Sequence, residues 1–162
     1  MRIYLAGPLG FSEAGRAFHE GVIKPRIEAL GHVVLDPWRL NDPAEIAAVA
    51  SLSYGPEKRD RWRELNTTIG RTNTEAIDAC DIVFAVLDGT DVDSGTAAEI
   101  GYAYARGKQI LGYRNDFRLA ADNDGATVNL QVEYFILRSG GLIISTAADI
   151  EAALARLCAT TR

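Results

Sequence analysis

The run DIVFAVLDG at residues 81–89 constrains the fold more than any other stretch of the chain. It is apolar, rich in β-formers and closed by a glycine, so it reads as a buried strand. Directly after it, SGTAAEIGYAYARG (94–107) has the character of a helix that stops at Gly107. The same alternation runs through the chain. RIYLA (2–6) is a second apolar strand, stopped by Gly7-Pro8, and a helix is expected over residues 12–30 with Gly31 as its stop. HVVLDP (32–37) is a strand broken by Pro37. DPAEIAAVA (42–50) predicts a short helix with Asp42 as N-cap and Pro43 in its first position. SYGPEKRD (53–60) reads as a mobile loop, and a long helix is expected from Trp62 to Ala79. QILGY (109–113) is the next strand, followed by a polar loop at 114–126. TVNLQVEYFILRSG (127–140) predicts a helix and LIIS (142–145) a last strand. A closing helix begins in TAADIEAALARLC (146–158), with Thr146 as N-cap.

Strands that alternate with helices imply a parallel sheet covered on both faces. The 162 residues suit one α/β domain spanning 1–162, and no repeat, linker or low-complexity segment divides it. Five strands fit a flavodoxin-like, doubly wound order 2-1-3-4-5 with right-handed crossovers. Ligands in such sheets bind at the carboxyl ends of the strands, near the point where the order reverses. That edge collects Gly7 and Pro8, then Asp36, then Asp88 through Glu99.

Composition excludes several classes of function. No segment approaches the roughly 18 apolar residues of a membrane span. The opening MRIYLAGPLGF lacks the apolar core and cleavage site of a signal peptide and reads as a strand entering a glycine turn. The net charge of −5 argues against a nucleic-acid backbone as partner. The basic run KRDRWR (58–63) is interleaved with Glu57, Asp60 and Glu64, as on a solvated face. Cys80 and Cys158 show no metal-type spacing, and His19 and His32 lie far in sequence from the other candidate residues. No metal site and no cofactor are expected, and a reducing cytoplasm is the simplest compartment.

Glu99 admits two readings. Thr96-Ala97-Ala98-Glu99 fits a capping box, in which the glutamate reaches back to the amide of Thr96. Against this, the turn is acidic, with Asp88, Asp91 and Asp93 close by, and clustered carboxylates raise one another's pKa. Gly95, Ala97 and Ala98 leave open space beside the carboxylate, which a nucleophile needs.

Three blocks, IYLAGPLGF (3–11), CDIVFAVLDGTDVDSGTAAEIGYAYARGK (80–108) and NLQVEY (129–134), resemble the nucleoside 2-deoxyribosyltransferase family in family order. The middle block is the more specific; the first is shared with related nucleoside and nucleotide hydrolases. The resemblance implies that Glu99 is the nucleophile at the anomeric carbon of a 2'-deoxyribonucleoside, giving a covalent deoxyribosyl-enzyme. It implies that Tyr4 orients that carboxylate and that Asp93 binds the sugar hydroxyls. It makes Asn129 a residue delivered to the sugar by a neighbouring subunit, in a homo-oligomer, dimer or hexamer, with shared sites. Gly7 and Asp88 are expected at the substrate. Asp88, Asp91 or a bound water are the candidates to protonate the leaving base.

One position departs from the family pattern. Many pyrimidine-accepting members carry an aspartate eight residues before the aspartate of CD, Asp81 here, where this chain has Asn73. An amide cannot donate a catalytic proton but can pair with a base edge, and the expected scope leans towards purines. The expected reaction exchanges the base of a 2'-deoxyribonucleoside for a free base. The alternatives are a 2'-deoxynucleoside 5'-monophosphate N-glycoside hydrolase and a non-catalytic nucleotide-sensing domain. Phe11, Trp38, Tyr54 and Trp62 are the candidates to close or stack over the site.

Overall fold

The computed structural model describes residues 1–160. Five parallel strands, β1 (Arg2–Ala6), β2 (Val33–Leu35), β3 (Ile82–Val86), β4 (Gln109–Tyr113) and β5 (Leu142–Ile144), form one sheet in the order β2-β1-β3-β4-β5. This is the doubly wound order expected from the sequence. Among the described residues no helix is long and apolar enough to cross a membrane.

Side chains alternate across each strand, and so build two cores. Ile3 and Leu5 of β1, Ile82 and Phe84 of β3, and Leu111 of β4 pack on one face. There they meet α1 (Glu13–Phe18), a π-helical turn (His19–Ile23), α2 (Lys24–Glu28) and the terminal α7 (Ile150–Thr160). Tyr4 and Ala6, Val83 and Ala85, and Ile110 face the other way. They meet α4 (Pro56–Ala79), α5 (Ser94–Ala105) and α6 (Leu130–Arg138). Tyr4 therefore lies on the same side of the sheet as α5.

The helix expected at 12–30 is interrupted. Ser12 caps α1, accepting from the amide of Gly15 at 2.9 Å. The π-helical turn then precedes Pro25, and the Lys24 amide reaches back five residues to the carbonyl of His19. Proline has no N–H to donate and its ring crowds the turn before it; a wider π turn at that point accommodates both.

The helix expected to begin at Trp62 begins six residues earlier, so the segment read as a mobile loop is largely the first turn of α4. Pro56 occupies the opening position of the helix, where its fixed φ is an advantage. Lys58 ties this end to α3 (Pro43–Ser51), donating to the carbonyls of Ala50 at 2.6 Å and Leu52 at 2.8 Å. Asp42 caps α3 as expected, accepting from Ala44 at 2.8 Å. Thr146 accepts from the amide of Ala148 but caps a 3₁₀ turn (Ala147–Asp149) ahead of α7 rather than α7 itself.

At the carboxyl edge β1 leaves the sheet across the end of β3. A Cβ placed on Gly7, whose φ is 159°, would lie 2.9 Å from the Cβ of Val86. That atom is fixed to the backbone and cannot swing aside. Gly7→Ala is expected to destabilise the fold by about 1–3 kcal/mol through overpacking. Thermal unfolding followed by circular dichroism should show a midpoint lowered by about 2–4 °C per kcal/mol. An unchanged midpoint would mean that the strand exit has room to spare.

Candidate functional site

Asp93, just ahead of α5, and Glu99, in its second turn, have different tasks. Asp93, not Glu99, caps the helix: its Oδ2 accepts from the amide of Thr96 at 3.0 Å and from the Thr96 hydroxyl at 3.2 Å. Glu99 is thereby released from the capping-box role. Its Oε1 instead accepts from the hydroxyl of Tyr4 at 2.6 Å, the short distance of a charge-assisted O–H···O bond. Tyr4 is wholly buried in β1, so the glutamate is fastened to the rigid centre of the sheet. Burial pushes the Glu99 carboxyl above its ordinary pKa. The Tyr4 hydrogen bond opposes that shift, and the nearby Asp93 charge adds to it. The Tyr4 hydroxyl is raised as well, first by burial and then by the Glu99 charge.

Glu99 opens onto a cleft of about 430 Å³. Its floor is formed by Gly7, Asp93, Gly95, Thr96 and Glu99, where β1 and β3 give way to loop and helix. One wall is aromatic. Phe11 and Trp38 meet edge to face at 4.8 Å and 89°, and Pro37 continues that wall. The indole lies flat against Gly10, where an added Cβ would fall 2.1 Å from the ring. The rest of the lining carries amides and isoleucines: Asn41, Ile46 of α3, and Asn66, Ile69 and Asn73 along α4. The Oδ1 of Asn73 is buried and has no hydrogen-bond partner among the described residues. No lysine or arginine lines the cleft among the described residues.

Of the residues singled out from sequence, Gly7, Asn73, Asp93 and Glu99 line this cleft, and Tyr4 stands behind Glu99. Asp88 does not line it. Its Oδ1 accepts from the amides of Asn115 at 2.6 Å and Asp116 at 2.9 Å, holding the loop after β4. The same loop is anchored by the buried Arg114, which donates to the carbonyls of Leu87 and Gly89. Asp91 accepts from the amide of Val92 and also lies outside the lining. Asn129 is the N-cap of α6, accepting from Gln131 at 3.0 Å, and does not line its own chain's cleft. Of the four aromatic candidates, Phe11 and Trp38 line the cleft, whereas Tyr54 and Trp62 do not. Asn41, Ile46, Asn66 and Ile69 carried no signal of their own in the sequence. The spacing Asn66, Ile69, Asn73 does follow one face of a helix, and that face could have been found from Asn73.

The fold is shared with enzymes of known structure. The 2-deoxyribosyltransferase of Bacillus psychrosaccharolyticus superimposes with a TM-score of 0.63 at 24% identity, over 93% of this chain and 90% of that one. The 2-desoxiribosyltransferase of Leishmania mexicana gives 0.62 at 26% identity, over 96% and 95%. The CMP N-glycosidase of Clostridium botulinum gives 0.56 at 21% identity, over 97% and 99%. No curated protein sequence matches significantly. The family model for nucleoside 2-deoxyribosyltransferase matches residues 3–133, a span that contains Tyr4, Asn73, Asp93, Glu99 and Asn129, and the chain belongs to that family.

Proposed function

We propose that the chain transfers the 2-deoxyribosyl group of a nucleoside from one base to another, with purines preferred and with Glu99 as nucleophile. The observation that carries this reading is the state of Glu99, free of any capping duty, held by Tyr4 at 2.6 Å and open to the cleft. In the first step a Glu99 oxygen attacks the anomeric carbon. The bond to the base nitrogen breaks, its electron pair leaves with the base, and water in the cleft supplies the proton. In the second step the nitrogen of an incoming base attacks the same carbon, Glu99 departs as a carboxylate, and the base gives its proton to the hydroxide left by the first step, restoring the water. Two inversions retain the configuration, as in retaining glycosidases. The charge of Glu99 also favours the oxocarbenium-like transition state. A sugar without the 2-hydroxyl leaves room beside Glu99 and better tolerates positive charge at that carbon. Asp93 keeps one carboxylate oxygen for a sugar hydroxyl while the other caps α5.

The lining favours a nucleoside over a nucleotide. Glu99 and Asp93 give the cleft negative charge, and no cation lines it among the described residues to hold a 5'-phosphate. The turn GPLGF likewise offers no serine or arginine for one. The aromatic wall suits a stacked base, and the amides of Asn41, Asn66 and Asn73 suit its polar edges.

The proposal includes a homo-oligomer. Leu130, Tyr134 and Leu137 follow one another at helical spacing on α6, each about half exposed. An interface along this face brings Asn129, at the start of the same helix, to the sugar of a neighbouring chain.

Incubating deoxyadenosine with free hypoxanthine and separating the products by chromatography is expected to yield a new nucleoside; free deoxyribose alone would mark a hydrolase. Glu99→Gln should lower the transfer rate at least about a thousandfold. Because the folded-state pKa of Glu99 is raised, its contribution to stability is present below the unfolded value and lost as the pH rises through the folded one. Above the folded-state pKa the ionised group therefore costs stability, and there the neutral glutamine should melt no lower than the native chain. Substantial residual transfer by Glu99→Gln would reject the nucleophile.

Tyr4→Phe removes the hydrogen bond that favours the ionised carboxylate. The Glu99 pKa should rise further, and the acid limb of the pH–rate profile should move to higher pH. An unmoved limb would show that Tyr4 does not tune the nucleophile.

Asn129→Ser keeps a capping oxygen and removes the amide. Mixing this variant with Glu99→Gln after dissociation and reassembly should restore part of the activity. No recovery in proven mixed oligomers would place Asn129 outside a shared site.

A further inference from the structure

Beside the aromatic wall lies a charge cluster, buried at His19 and Asp36 and open to solvent at Glu20 and Arg39, that the proposed chemistry does not use. His19, in the π-helical turn, donates to Asp36 Oδ2 at 2.9 Å, and both residues are buried. Lys24 places its ammonium 3.2 Å from that same oxygen and 3.0 Å from Glu20, and Glu20 in turn pairs with Arg39 at 3.0 Å. His19, Glu20 and Asp36 have the arrangement of a metal-binding triad, but Lys24 already supplies a cation to both carboxylates. The other oxygen of Asp36 faces the cleft side: Oδ1 accepts from the backbone amide of Trp38 at 3.1 Å. The Arg39 amide closes the turn on the carbonyl of Asp36 at 2.8 Å.

Burying a carboxylate is costly unless it is paired and hydrogen-bonded. Here burial works to raise the Asp36 pKa, and the His19 and Lys24 bonds outweigh it and hold the group ionised. An ordinary turn on the surface has no need of that arrangement. Its effect is to anchor Asp36 from the core side so that the remaining oxygen fixes one backbone amide. That amide belongs to the residue whose indole lies on Gly10 and meets Phe11 across the cleft wall.

We infer that Asp36 is a positioning residue for base binding: clamped by His19 and Lys24, it holds the Trp38 backbone so that the indole presents a fixed stacking face to the base. This rests on the reading of the cleft as a nucleobase site, but the position of Trp38 is measurable without any turnover.

In a Trp62→Phe background, Trp38 is the sole tryptophan, and its quenching by acrylamide reports how firmly the wall is held. Asp36→Ala is expected to raise the quenching constant by about twofold or more. It should raise the KM for the acceptor base about tenfold, within what one base–aromatic stack is worth, and change kcat by less than about threefold. Asp36→Asn keeps an oxygen for the Trp38 amide and should restore native quenching and most of the lost KM. Native quenching in Asp36→Ala would overturn the inference. So would an Asp36→Asn variant as loose as Asp36→Ala, since charge pairing alone would then matter. If Asp36→Ala does not fold, Asp36→Asn decides: a firmly held Trp38 supports the inference and a loosened one rejects it. A chain that shows these quenching changes yet transfers no deoxyribosyl group would fail the proposed function and keep the positioning role.

Discussion

Where β1 runs parallel beside β3, with Ala6 opposite Ala85, both chains leave the sheet at the same edge and must turn away there. Everything at the site follows from that pairing. The exit of β1 passes so close to Val86 that only glycine fits at position 7. The exit of β3 becomes the acidic turn that starts α5. Because side chains alternate across β1, Tyr4 falls on the face that α5 covers, and its hydroxyl meets Glu99 across 95 positions of sequence. A hydrogen bond of that reach needs a rigid floor at both ends. The two central strands provide it, since every residue of β3 is buried.

Electrostatics at this edge are arranged by division of labour. Four acidic residues crowd the region from Asp88 to Glu99, yet three of them satisfy backbone amides within it or beside it. Asp88 binds the loop after β4, Asp91 binds Val92, and Asp93 caps α5. Glu99 is left with a phenol as its partner. A phenol steadies the ionised carboxylate without neutralising it, unlike a lysine or arginine. Of the four, Glu99 is therefore the carboxylate that lines the cleft with an uncharged phenol as its partner.

The strands and their order were legible because each is a short apolar run bounded by glycine, proline or a charge, and parallel crossovers allow few topologies. Glu99, Tyr4 and Asp93 were legible through the resemblance of their blocks, with Glu99 also marked by its acidic, small-residue surroundings. The start of α4 was not. Its first turns are polar, and Pro56 looks like a breaker, but proline suits the opening position. The charges pair along the helix surface, as in Arg63 with Asp60 and Arg61 with Glu64. Asp88 was misleading for another reason: a carboxylate at a functional edge looks the same in sequence whether it faces a ligand or two loop amides. The amide wall gave little signal because asparagine and isoleucine at helical spacing resemble any half-buried helix face.

The π-helical turn at His19–Ile23 bears on the length the chain can have there. Ile23 and Ile27, fully buried, face the sheet because the wider turn keeps the angular phase of everything after it. Five residues wound at π geometry turn through about the same angle as four in an ordinary helix, so loss of one residue there would restore ordinary winding and leave Ile27 facing the sheet. The turn thus absorbs one residue of length without rotating the helix that follows, and alignments of related chains should show single-residue gaps gathering at this segment.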